Sequence, residues 1–588
     1  MVAGEDERGR EVRAGLLSPP APSRRTSSAP SRPQLLLAAW LLLALASALA
    51  AAPARAASDP TTGRLLVTLK DGASARAAAA VTALAGVRRD GAQVPQIGLV
   101  SVRPTGLAPS AAAAALRSLP GVAHVEVEHR HELRLVPNDP SLTTPETAPG
   151  TPAGTPLQWW VARTNLPAAW DLERGAGATV AVIDSGVDAG QPELAGKIDQ
   201  AIDFDDMPNH GPATGDENGH GTHVSSLACA AGDNGAGIVG AGLDCRLLVI
   251  KTDLADGSIA RSIVKAADLG ADAVNMSFGT NGASPAAEAI GEAVDYAVGK
   301  DVVLVAAAAD KPVDEQGDPA NLLQPTGSGS DIGAGRGLTV TAANFFDQRA
   351  PFAGRGSQIS LAAYGSFDQT VGPAGLIGAF PGNSTELERG EGLLLDPEPP
   401  CDCRTQIGGD NRYAYLQGTS MAAPIVAAIA ALARTLNPDL KAPEVIRVLK
   451  QTATRPAGTN WSPELGWGIV NAGAALSAVA AIDRHAPTSK LRGSKRVRRA
   501  RAVTVTWTGR DKAPAKLRAS GIAYYDVYRS TDRKAYKRIK RTSRTRLRVL
   551  AKAGTRYRFY TVGVDKAGNR EAVPPRPDLT MHVDRRRR

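Results

Sequence analysis

Two histidines three residues apart are the first candidates for chemistry in this chain. Residues 217–224 read ENGHGTHV, with only Gly221 and Thr222 between His220 and His223, and the whole chain has 8 histidines. The pair suits three roles: metal ligands, a catalytic base beside a packed neighbour, or two surface imidazoles. A zinc site needs a third protein ligand and usually a glutamate within the motif, as in HExxH, and neither is visible here.

An aspartate and a serine beside glycines provide two further reactive groups. Asp184 ends the apolar run VAVID and is followed at once by Ser-Gly, although an isolated aspartate there is more often a turn or helix-cap residue. Ser420 precedes an apolar helical run in QGTSMAAPIVAAIAALARTL, where Pro424 is tolerated in the first turn. The free N–H groups and the positive dipole end of such a helix can stabilise an oxyanion. On its own, Ser420 would be read as a helix cap.

The three residues lie in a region, 158–484, where short apolar runs alternate with helical stretches such as IARSIVKAADLG (259–270). This alternation is typical of a parallel sheet covered by helices on both faces. The apolar runs are residues 178–184, 245–251, 272–278, 301–309 and 337–343. Functional groups in such sheets collect at the carboxyl ends of the strands. We therefore predict an α/β domain with a doubly wound parallel sheet.

Three segments of this region resemble the signature motifs of subtilisin-like serine peptidases: VIDSGVD, HGTHV and GTSMAAP, in the order Asp…His…Ser. The resemblance extends over about 158–476 and includes QWW, AAWDLERG, VNMSFG and GWGIVNAGAAL. It implies that Ser420 is the nucleophile and His220 its general base. Asp184 would fix the tautomer of His220, and His223 would be a packed neighbour. The implied function is hydrolysis of peptide bonds through an acyl-enzyme.

The same resemblance places the walls of the substrate pocket in two uncharged segments. The implied substrate-binding residues are Ser277, Phe278, Gly279, Ala307, Ala308 and Ala309. Because these walls carry no charge, we expect an apolar side chain at the cleaved position. The expected partners are protein or peptide substrates and the protein's own propeptide, and no cofactor is required.

One position departs from the family pattern. The oxyanion hole should combine Ser420 with an asparagine after the strand DVVLVAAAA, but that position is Asp310, and Ala309 stands where glycine is usual. An ionised carboxylate only accepts hydrogen bonds and repels an oxyanion. Two alternatives restore a donor: burial in an apolar site keeps Asp310 protonated, or Asn321 occupies the hole. We expect a slow or acid-shifted peptidase; the alternative is a catalytically weak subtilase scaffold whose C-terminal module binds anionic surfaces.

The segment 1–57 is interpreted as an N-terminal extension and signal peptide. Its apolar run LLLAAWLLLALASALA follows several arginines and is followed by ARAA at 54–57, which is the pattern of a secretory signal with a cleavage site. A membrane anchor is the alternative, although a run of 16 residues is short for a membrane span. We expect a secreted or cell-surface protein.

Residues 58–136 alternate strands with Ala-rich helices and resemble the inhibitory prosegment of the same family. Residues 137–157 form a Pro/Thr/Gly-rich linker to the catalytic domain. The resemblance implies a zymogen that loses this unit, and we expect the mature N-terminus between Leu135 and Gln158.

Residues 485–588 form a basic C-terminal module. They contain 31 Lys and Arg against 7 Asp and Glu, a net charge of +24, while the rest of the chain carries −14. Alternating strands such as RYRFYTVGV, together with VDKAGN, resemble fibronectin type III-like β-sandwiches of extracellular enzymes. Anionic cell-wall polymers are the expected ligands, and export argues against a biological nucleic-acid partner.

The four cysteines suit an exported protein with one or two disulfides, and we favour pairing of Cys229 with Cys245, leaving Cys401 and Cys403. No metal site is predicted. Calcium is considered as a structural ion because the segment 203–210, with Asp216 and Glu217, offers oxygen ligands, although no ordered ligand loop can be recognised.

Overall fold

The structure is a computed structural model of the chain. It describes residues 61–70, 75–129, 136–207, 210–280, 282, 287–391, 399–455, 460–498 and 502–585. All of them lie in the larger of the two units into which the chain divides, Pro60–Arg588. The predicted extension and signal, 1–57, lie outside the described residues.

The N-terminal unit is a four-stranded antiparallel sheet with two helices. Its strands are β1 (Thr61–Leu69), β2 (Val87–Val94), β3 (Leu99–Pro104) and β4 (Val122–His129), and its helices are α1 (Ala75–Ala83) and α2 (Pro109–Arg117). The sheet order is β2-β3-β1-β4. Alternate strand residues such as Leu65, Val67 and Val102 pack with Ala112 and Leu116 of α2 to form a separate small core. The sequence predicted strands alternating with Ala-rich helices; both helices are present, but β2 and β3 follow one another with no α-helix between them.

A seven-stranded, all-parallel sheet forms the centre of the molecule and confirms the predicted α/β fold. Its strands are β5 (Thr179–Asp184), β6 (Ile198–Phe204), β7 (Arg246–Thr252), β8 (Ala273–Met276), β9 (Val303–Ala307), β10 (Leu338–Ala343) and β11 (Leu361–Tyr364). The order is β11-β10-β9-β8-β5-β7-β6. Nearly every residue of the inner strands is buried because both faces are covered.

Helices cover both faces of this sheet. They are α3 (Trp159–Arg163), α4 (Leu166–Trp170), α5 (His220–Cys229), α6 (Asp256–Asp268), α7 (Glu288–Gly299), α8 (Ala320–Leu323), α9 (Glu386–Arg389), α10 (Thr419–Leu436), α11 (Ala442–Thr452) and α12 (Ala472–Ala480). Helices α6 and α7 bury one face, and α5 and α10 the other. Among the described helices, only α10 is long and apolar enough to cross a membrane, and its burial identifies it as the core helix.

A small antiparallel sheet lies beside the α5 face. It contains β12 (Leu376–Ala379), β13 (Arg404–Ile407) and β14 (Asp410–Leu416), in the order β12-β14-β13. The structure joins Cys229 to Cys245, and Cys401 to Cys403. The first bond ties the end of α5 to the start of β7, so it fixes the helix that begins at His220.

The predicted linker, 137–157, packs against the catalytic domain. Asp139 and Ser141 are fully buried. Asp139 Oδ2 accepts a 2.7 Å hydrogen bond from the backbone N–H of Asp233, and Ser141 Oγ donates to Gln158 Oε1 at 2.6 Å. Residues from Asn138 onward therefore belong structurally to the catalytic domain.

The C-terminal region consists of two β-sheets around one core. The strands are β15 (Thr488–Arg492), β16 (Arg496–Val497), β17 (Ala502–Arg510), β18 (Ile522–Thr531), β19 (Lys537–Thr542), β20 (Arg546–Leu550), β21 (Arg556–Asp565) and β22 (Leu579–Val583). One sheet has the order β15-β17-β20 and the other β16-β22-β21-β18-β19. Trp507, Tyr525 and Phe559 contribute to the core between them.

This region is attached to the catalytic domain by polar contacts. Lys516 Nζ lies 2.7 Å from Glu173 Oε2, and the backbone N–H of Arg518 donates to Ala480 O at 2.8 Å. Near the junction the carboxylates of Asp483, Asp511 and Asp565 approach within 4.8 Å of one another. Each of them accepts a backbone N–H, from Ser520, Gly521 and Asn569 respectively.

Candidate active site

Asp184 is held rigidly at the carboxyl end of β5, in the middle of the parallel sheet. Its side chain is 3% exposed, and Oδ1 accepts hydrogen bonds from the Ser185 backbone N–H at 2.8 Å and from His220 Nδ1 at 2.8 Å. Gly186 follows with φ of 105°, and a Cβ there would lie 2.3 Å from Gly215 O. Only glycine allows the chain to turn this tightly after the aspartate.

His220 is the first residue of α5, and Asp216 organises the start of that helix. Asp216 accepts from the backbone N–H groups of Gly219 and Thr222, from the hydroxyl of Thr222 at 2.6 Å, and from the hydroxyl of Ser185 at 2.8 Å. Sequence analysis considered Asp216 only as a calcium ligand. The structure makes it a buried residue that caps α5 and links the segment after Asp184 to the segment that carries His220.

The pKa of His220 is raised by its acidic surroundings. Burial alone lowers the pKa, but the charge and hydrogen bond of Asp184, together with the charges of Asp216 and Asp310, outweigh burial and hold the pKa above its ordinary value of 6.5. The Nδ1–H···Oδ1 hydrogen bond fixes the tautomer that leaves Nε2 free to accept a proton.

His223 lies one turn further along α5 and is fully buried. Its Nε2 lies 3.1 Å from Leu376 O and 3.2 Å from Ala414 O, so this nitrogen is used as a donor to the small sheet. Burial first, and then the charge of His220, lower its pKa to about 3. His223 is therefore placed as a packed neutral neighbour of His220.

Ser420 lies in the first turn of α10, which packs against α5. Its Oγ donates to Ser277 O at 2.9 Å, and in return Ser277 Oγ donates to Ser420 O at 2.8 Å. Asn275 Nδ2 donates to Ser277 Oγ at 2.9 Å. These hydrogen bonds fix the helix start against the end of β8, the strand that pairs with β5 and its Asp184.

Asp310 lies beside this helix start, where the sequence placed it. Its Oδ1 accepts from the backbone N–H of Thr419 at 2.8 Å, and its charge acts on His220. The residue is exposed, so the structure lacks the apolar burial on which the protonated alternative rests. The acid-shifted rate profile that rested on this alternative loses its basis.

Asn321 belongs to a different part of the site. It lies in α8, and its backbone N–H donates to Gly317 O at 3.0 Å, three residues after the buried Asp318. Asn321 thus contacts the loop that follows Asp310, whereas Asp310 itself contacts Thr419, the residue before Ser420.

The predicted substrate walls extend from two neighbouring strands. Ser277, Phe278 and Gly279 follow β8, and Ala307, Ala308 and Ala309 end β9 and continue it; the two strands pair in parallel. The hydroxyl of Thr419 donates to Ala308 O at 2.5 Å, so the second wall is fixed to the start of α10. Ser277 of the first wall thus contacts Ser420, and Ala308 of the second contacts Thr419; that these segments bind substrate stays a prediction.

The carboxylates considered for calcium are engaged by protein donors. Glu217 Oε2 lies 2.5 Å from Lys251 Nζ, and Asp205 Oδ2 lies 2.5 Å from His210 Nδ1. Asp216 accepts the four hydrogen bonds described above. A calcium ion needs six to eight oxygen ligands, so this set fits the ion poorly, and no step of the chemistry is assigned to calcium.

Comparison with known proteins links this geometry to one family. The model of the Subtilase family matches residues 175–468, which is half of the chain. The chain is 32% identical to the thermophilic serine proteinase of Bacillus sp. (strain AK1) over 297 residues, covering 50% of this chain and 60% of that protein. It is 30% identical to subtilisin BL of Lederbergia lenta over 325 residues, covering 54% of this chain and 98% of that protein.

Among solved structures, the chain is similar to fervidolysin from Fervidobacterium pennivorans, a keratinolytic enzyme related to subtilisin. The TM-score is 0.44 at 20% identity, and the alignment covers 90% of this chain and 79% of that chain. The chain thus spans nearly the whole length of subtilisin BL but less than two thirds of the Bacillus proteinase.

Proposed function

The chain belongs to the subtilase family of serine endopeptidases, and on that premise we propose that it is a secreted, self-processed zymogen that cleaves peptide bonds with Asp184, His220 and Ser420. The observation that carries this proposal is the 2.8 Å hydrogen bond between His220 Nδ1 and Asp184 Oδ1, on a helix, α5, that packs against α10 and its Ser420.

The hydrogen bonds define the direction of proton transfer. Because His220 Nδ1–H donates to Asp184, Nε2 is the basic atom. Ser420 Oγ donates to Ser277 O in this structure, so rotation about the Cα–Cβ bond must bring the hydroxyl to Nε2. Oγ then bonds to the substrate carbonyl carbon while its proton moves to Nε2, and the imidazolium gives this proton to the leaving amine. A water deprotonated by the same nitrogen releases the acyl group.

The oxyanion that forms on the substrate carbonyl is stabilised by the Ser420 backbone N–H, since the first N–H groups of a helix have no partner within it. The asparagine donor of the family is absent, because Asp310 stands there and accepts the Thr419 N–H instead. In subtilisin, loss of one such donor lowers kcat by about 10²–10³. We infer an active enzyme that is slower than its relatives.

Export and zymogen processing are supported by the order of segments along the chain. An apolar run precedes an α+β unit, and this unit precedes the catalytic domain. Cleavage after one of residues 134–137 would free the N-terminal unit and leave Asn138 and Asp139 in their contacts with the catalytic domain.

The C-terminal sheets supply a second proposed activity, binding to anionic cell-wall polymers. Residues 485–588 carry a net charge of +24, and β19 and β20 present exposed cations, among them Lys537, Lys540, Arg546 and Arg548. If Asp310 abolishes turnover, this binding becomes the main function, and the catalytic domain is a scaffold.

Hydrolysis of a quenched fluorescent peptide library by the wild type, Ser420→Ala and Asp184→Asn tests the proposal. We expect turnover by the wild type, none by Ser420→Ala, and a loss of about 10⁴ in kcat for Asp184→Asn because the histidine takes the wrong tautomer. Equal residual hydrolysis by wild type and Ser420→Ala would show that the triad is inactive and would favour the scaffold function.

A further inference from the structure

The five-stranded sheet of the C-terminal region carries a buried carboxylate on its outer face. Asp526 lies in β18 and is 0% exposed. Its neighbours in the strand, Tyr525 and Val527, belong to the core between the two sheets. Because successive side chains of a strand point to opposite faces, Asp526 lies on the face of this sheet that is turned away from that core.

Three arginines from two parts of the chain pair with Asp526. Arg541 of β19 binds both oxygens, with Nε 2.9 Å from Oδ1 and Nη2 3.1 Å from Oδ2. Arg538 of the same strand and Arg570, which follows β21, donate to Oδ2 at 3.4 Å and 2.9 Å. Arg538, Arg541 and Arg570 are called the arginine cluster below.

The arginine cluster carries more charge than its carboxylate can balance. Among the described residues, Asp526 is the acidic side chain that forms ion pairs with these arginines, so three positive charges meet one negative charge. The bidentate contact of Arg541 already gives each oxygen of Asp526 a donor. The arginine side chains are nevertheless 49%, 49% and 41% exposed, so the excess positive charge is accessible from solvent.

Tyrosine side chains hold the arginine cluster in place. Arg541 lies 4.2 Å from the ring centre of Tyr524, over its face, and Arg570 Nη2 donates to the Tyr528 hydroxyl at 2.9 Å. The Tyr528 ring stacks in turn on Tyr560, with ring centres 4.8 Å apart and 16° between the planes. These contacts order the guanidinium groups before a ligand arrives, so less conformational entropy is lost on binding.

The N–H groups that remain define the chemistry of the ligand. A guanidinium has five N–H donors and no acceptor, and the hydrogen bonds above use one or two donors of each arginine. Planar N–H forks match phosphate oxygens, and a tetrahedral phosphate offers oxygens to more than one fork. The two positive charges in excess are balanced by two successive phosphodiester groups. Because Arg541 covers Tyr524, and Tyr528 and Tyr560 stack on each other, the surface favours a polymer without bases.

We propose that the arginine cluster is a binding site for a phosphodiester-linked wall polymer, in which successive phosphate groups are held by the guanidinium forks. This inference rests on the proposed binding of anionic polymers by the C-terminal sheets. It goes further because it assigns a defined site and names the phosphate group as the ligand. Binding at this site depends on the fork geometry of arginine and not on positive charge alone.

The first test keeps the charge of the cluster and removes its forks. The probe is synthetic poly(glycerol phosphate), and the protein is the full chain at fixed ionic strength. The triple variant Arg538→Lys, Arg541→Lys and Arg570→Lys should raise the Kd by about 10- to 100-fold, because an ammonium group is a point charge without a bidentate fork.

The matched control makes the same change elsewhere in the module. Arg492, Arg498 and Arg510 are exposed and lie outside the arginine cluster. Arg492→Lys, Arg498→Lys and Arg510→Lys together should leave the Kd within about twofold, because the net charge that attracts the polymer is unchanged. If the cluster variant binds no more weakly than this control, the inference is overturned, and binding through net charge stands.

The wild type gives a second readout that does not depend on how a variant folds. Poly(glycerol phosphate) should slow the modification of the arginine cluster by an arginine-specific dicarbonyl reagent, as measured by peptide mapping, and should protect Arg492, Arg498 and Arg510 much less. Equal protection of all six arginines would overturn the site. If the wild type does not bind the polymer at all, both this inference and the proposed polymer binding fail.

Two other polyanions test the identity of the ligand. Polyglutamate with the same number of charges should bind the wild type at least about 10-fold more weakly than poly(glycerol phosphate). Equal affinity would overturn the assignment to phosphate. Single-stranded DNA with the same number of phosphates should bind no more tightly than poly(glycerol phosphate), and clearly tighter binding of DNA at the arginine cluster would overturn the assignment to a wall polymer.

Discussion

Asp310 Oδ1 accepts a 2.8 Å hydrogen bond from the backbone N–H of Thr419, one residue before Ser420. The carboxylate satisfies one of the N–H groups that a helix start leaves free, and it places negative charge at the positive end of the α10 dipole. The same charge lies where the oxyanion is expected to develop. Asp310 therefore stabilises the helix that carries Ser420 and opposes the reaction of Ser420.

Asp310→Asn should accelerate the enzyme. The asparagine carbonyl can still accept the Thr419 N–H, while its amide N–H₂ adds the missing oxyanion donor. We expect kcat to rise by about 10- to 100-fold near neutral pH, within the range that one donor supplies. Steady-state kinetics measure this, and Asp310→Ala, which removes the charge without adding a donor, should be slower than Asp310→Asn. A mutant no faster than wild type anywhere between about pH 5 and 9 would exclude Asp310 from the oxyanion hole.

The rate should increase with pH through a pKa above 6.5. His220 must be neutral to accept the Ser420 proton, and its pKa is raised by Asp184, Asp216 and Asp310 against the effect of burial. The imidazolium is thus stabilised, and the active neutral form accumulates only at higher pH. Asp310→Asn removes one of these charges and should move the rising limb to lower pH. The pH dependence of kcat/KM measures the pKa of His220 in the wild type and in Asp310→Asn. A rising limb at the same pH in both proteins would contradict the effect of the Asp310 charge on His220.

Maturation should remove the N-terminal unit but keep Asn138. Asn138 Oδ1 accepts the Gly235 N–H at 2.7 Å, and Asp139 accepts the Asp233 N–H, so cleavage after either would remove contacts with the catalytic domain. This narrows the expected start to Leu135–Asn138.

Intact-mass analysis of the secreted protein measures this start, and Ser420→Ala should keep the N-terminal unit if the cut is intramolecular. Active protein that still begins near Ala57 would contradict the zymogen proposal.

The C-terminal sheets should bind polyanions in a salt-dependent manner. Exposed charges are screened over about 8 Å at physiological ionic strength, so retention on an anionic polymer should decrease steeply with salt. Replacing Lys537, Lys540, Arg546 and Arg548 by glutamine should weaken retention of the full chain. The control removes four cations that pair with aspartates on the catalytic domain, namely Arg246, Lys300, Arg336 and Arg355, and should have little effect. Equal losses in the two variants would mean that only net charge matters.

The sequence was sufficient to predict those residues of the site that lie in short local motifs. Asp184 ends a buried strand, and His220 and Ser420 begin helices, so strand and helix patterns alone place them at one edge of a parallel sheet. The same reasoning predicts that the two substrate walls, which come after β8 and β9, lie close together, because neighbouring parallel strands end side by side.

The site residues that the sequence did not reveal lie in loops, and their contacts depend on how those loops fold. Asp216 was considered only among the oxygen ligands for calcium; it lies three residues before the N-cap residue Gly219, where no local pattern marks a capping side chain, and its hydrogen bonds to the Gly219 and Thr222 N–H groups depend on how the turn before α5 folds. The exposure of Asp310 is likewise a tertiary property, which no local pattern encodes.

Covalent labelling by an organophosphonate probe, followed by peptide mapping, tests the central claim most directly, because phosphonylation requires a serine activated by its histidine. We predict one adduct, on Ser420, in the wild type, none in Ser420→Ala, and strongly slowed labelling in Asp184→Asn. Absence of the Ser420 adduct in the processed wild type, at any pH at which the protein is folded, would contradict the assignment of Asp184, His220 and Ser420 as a working triad.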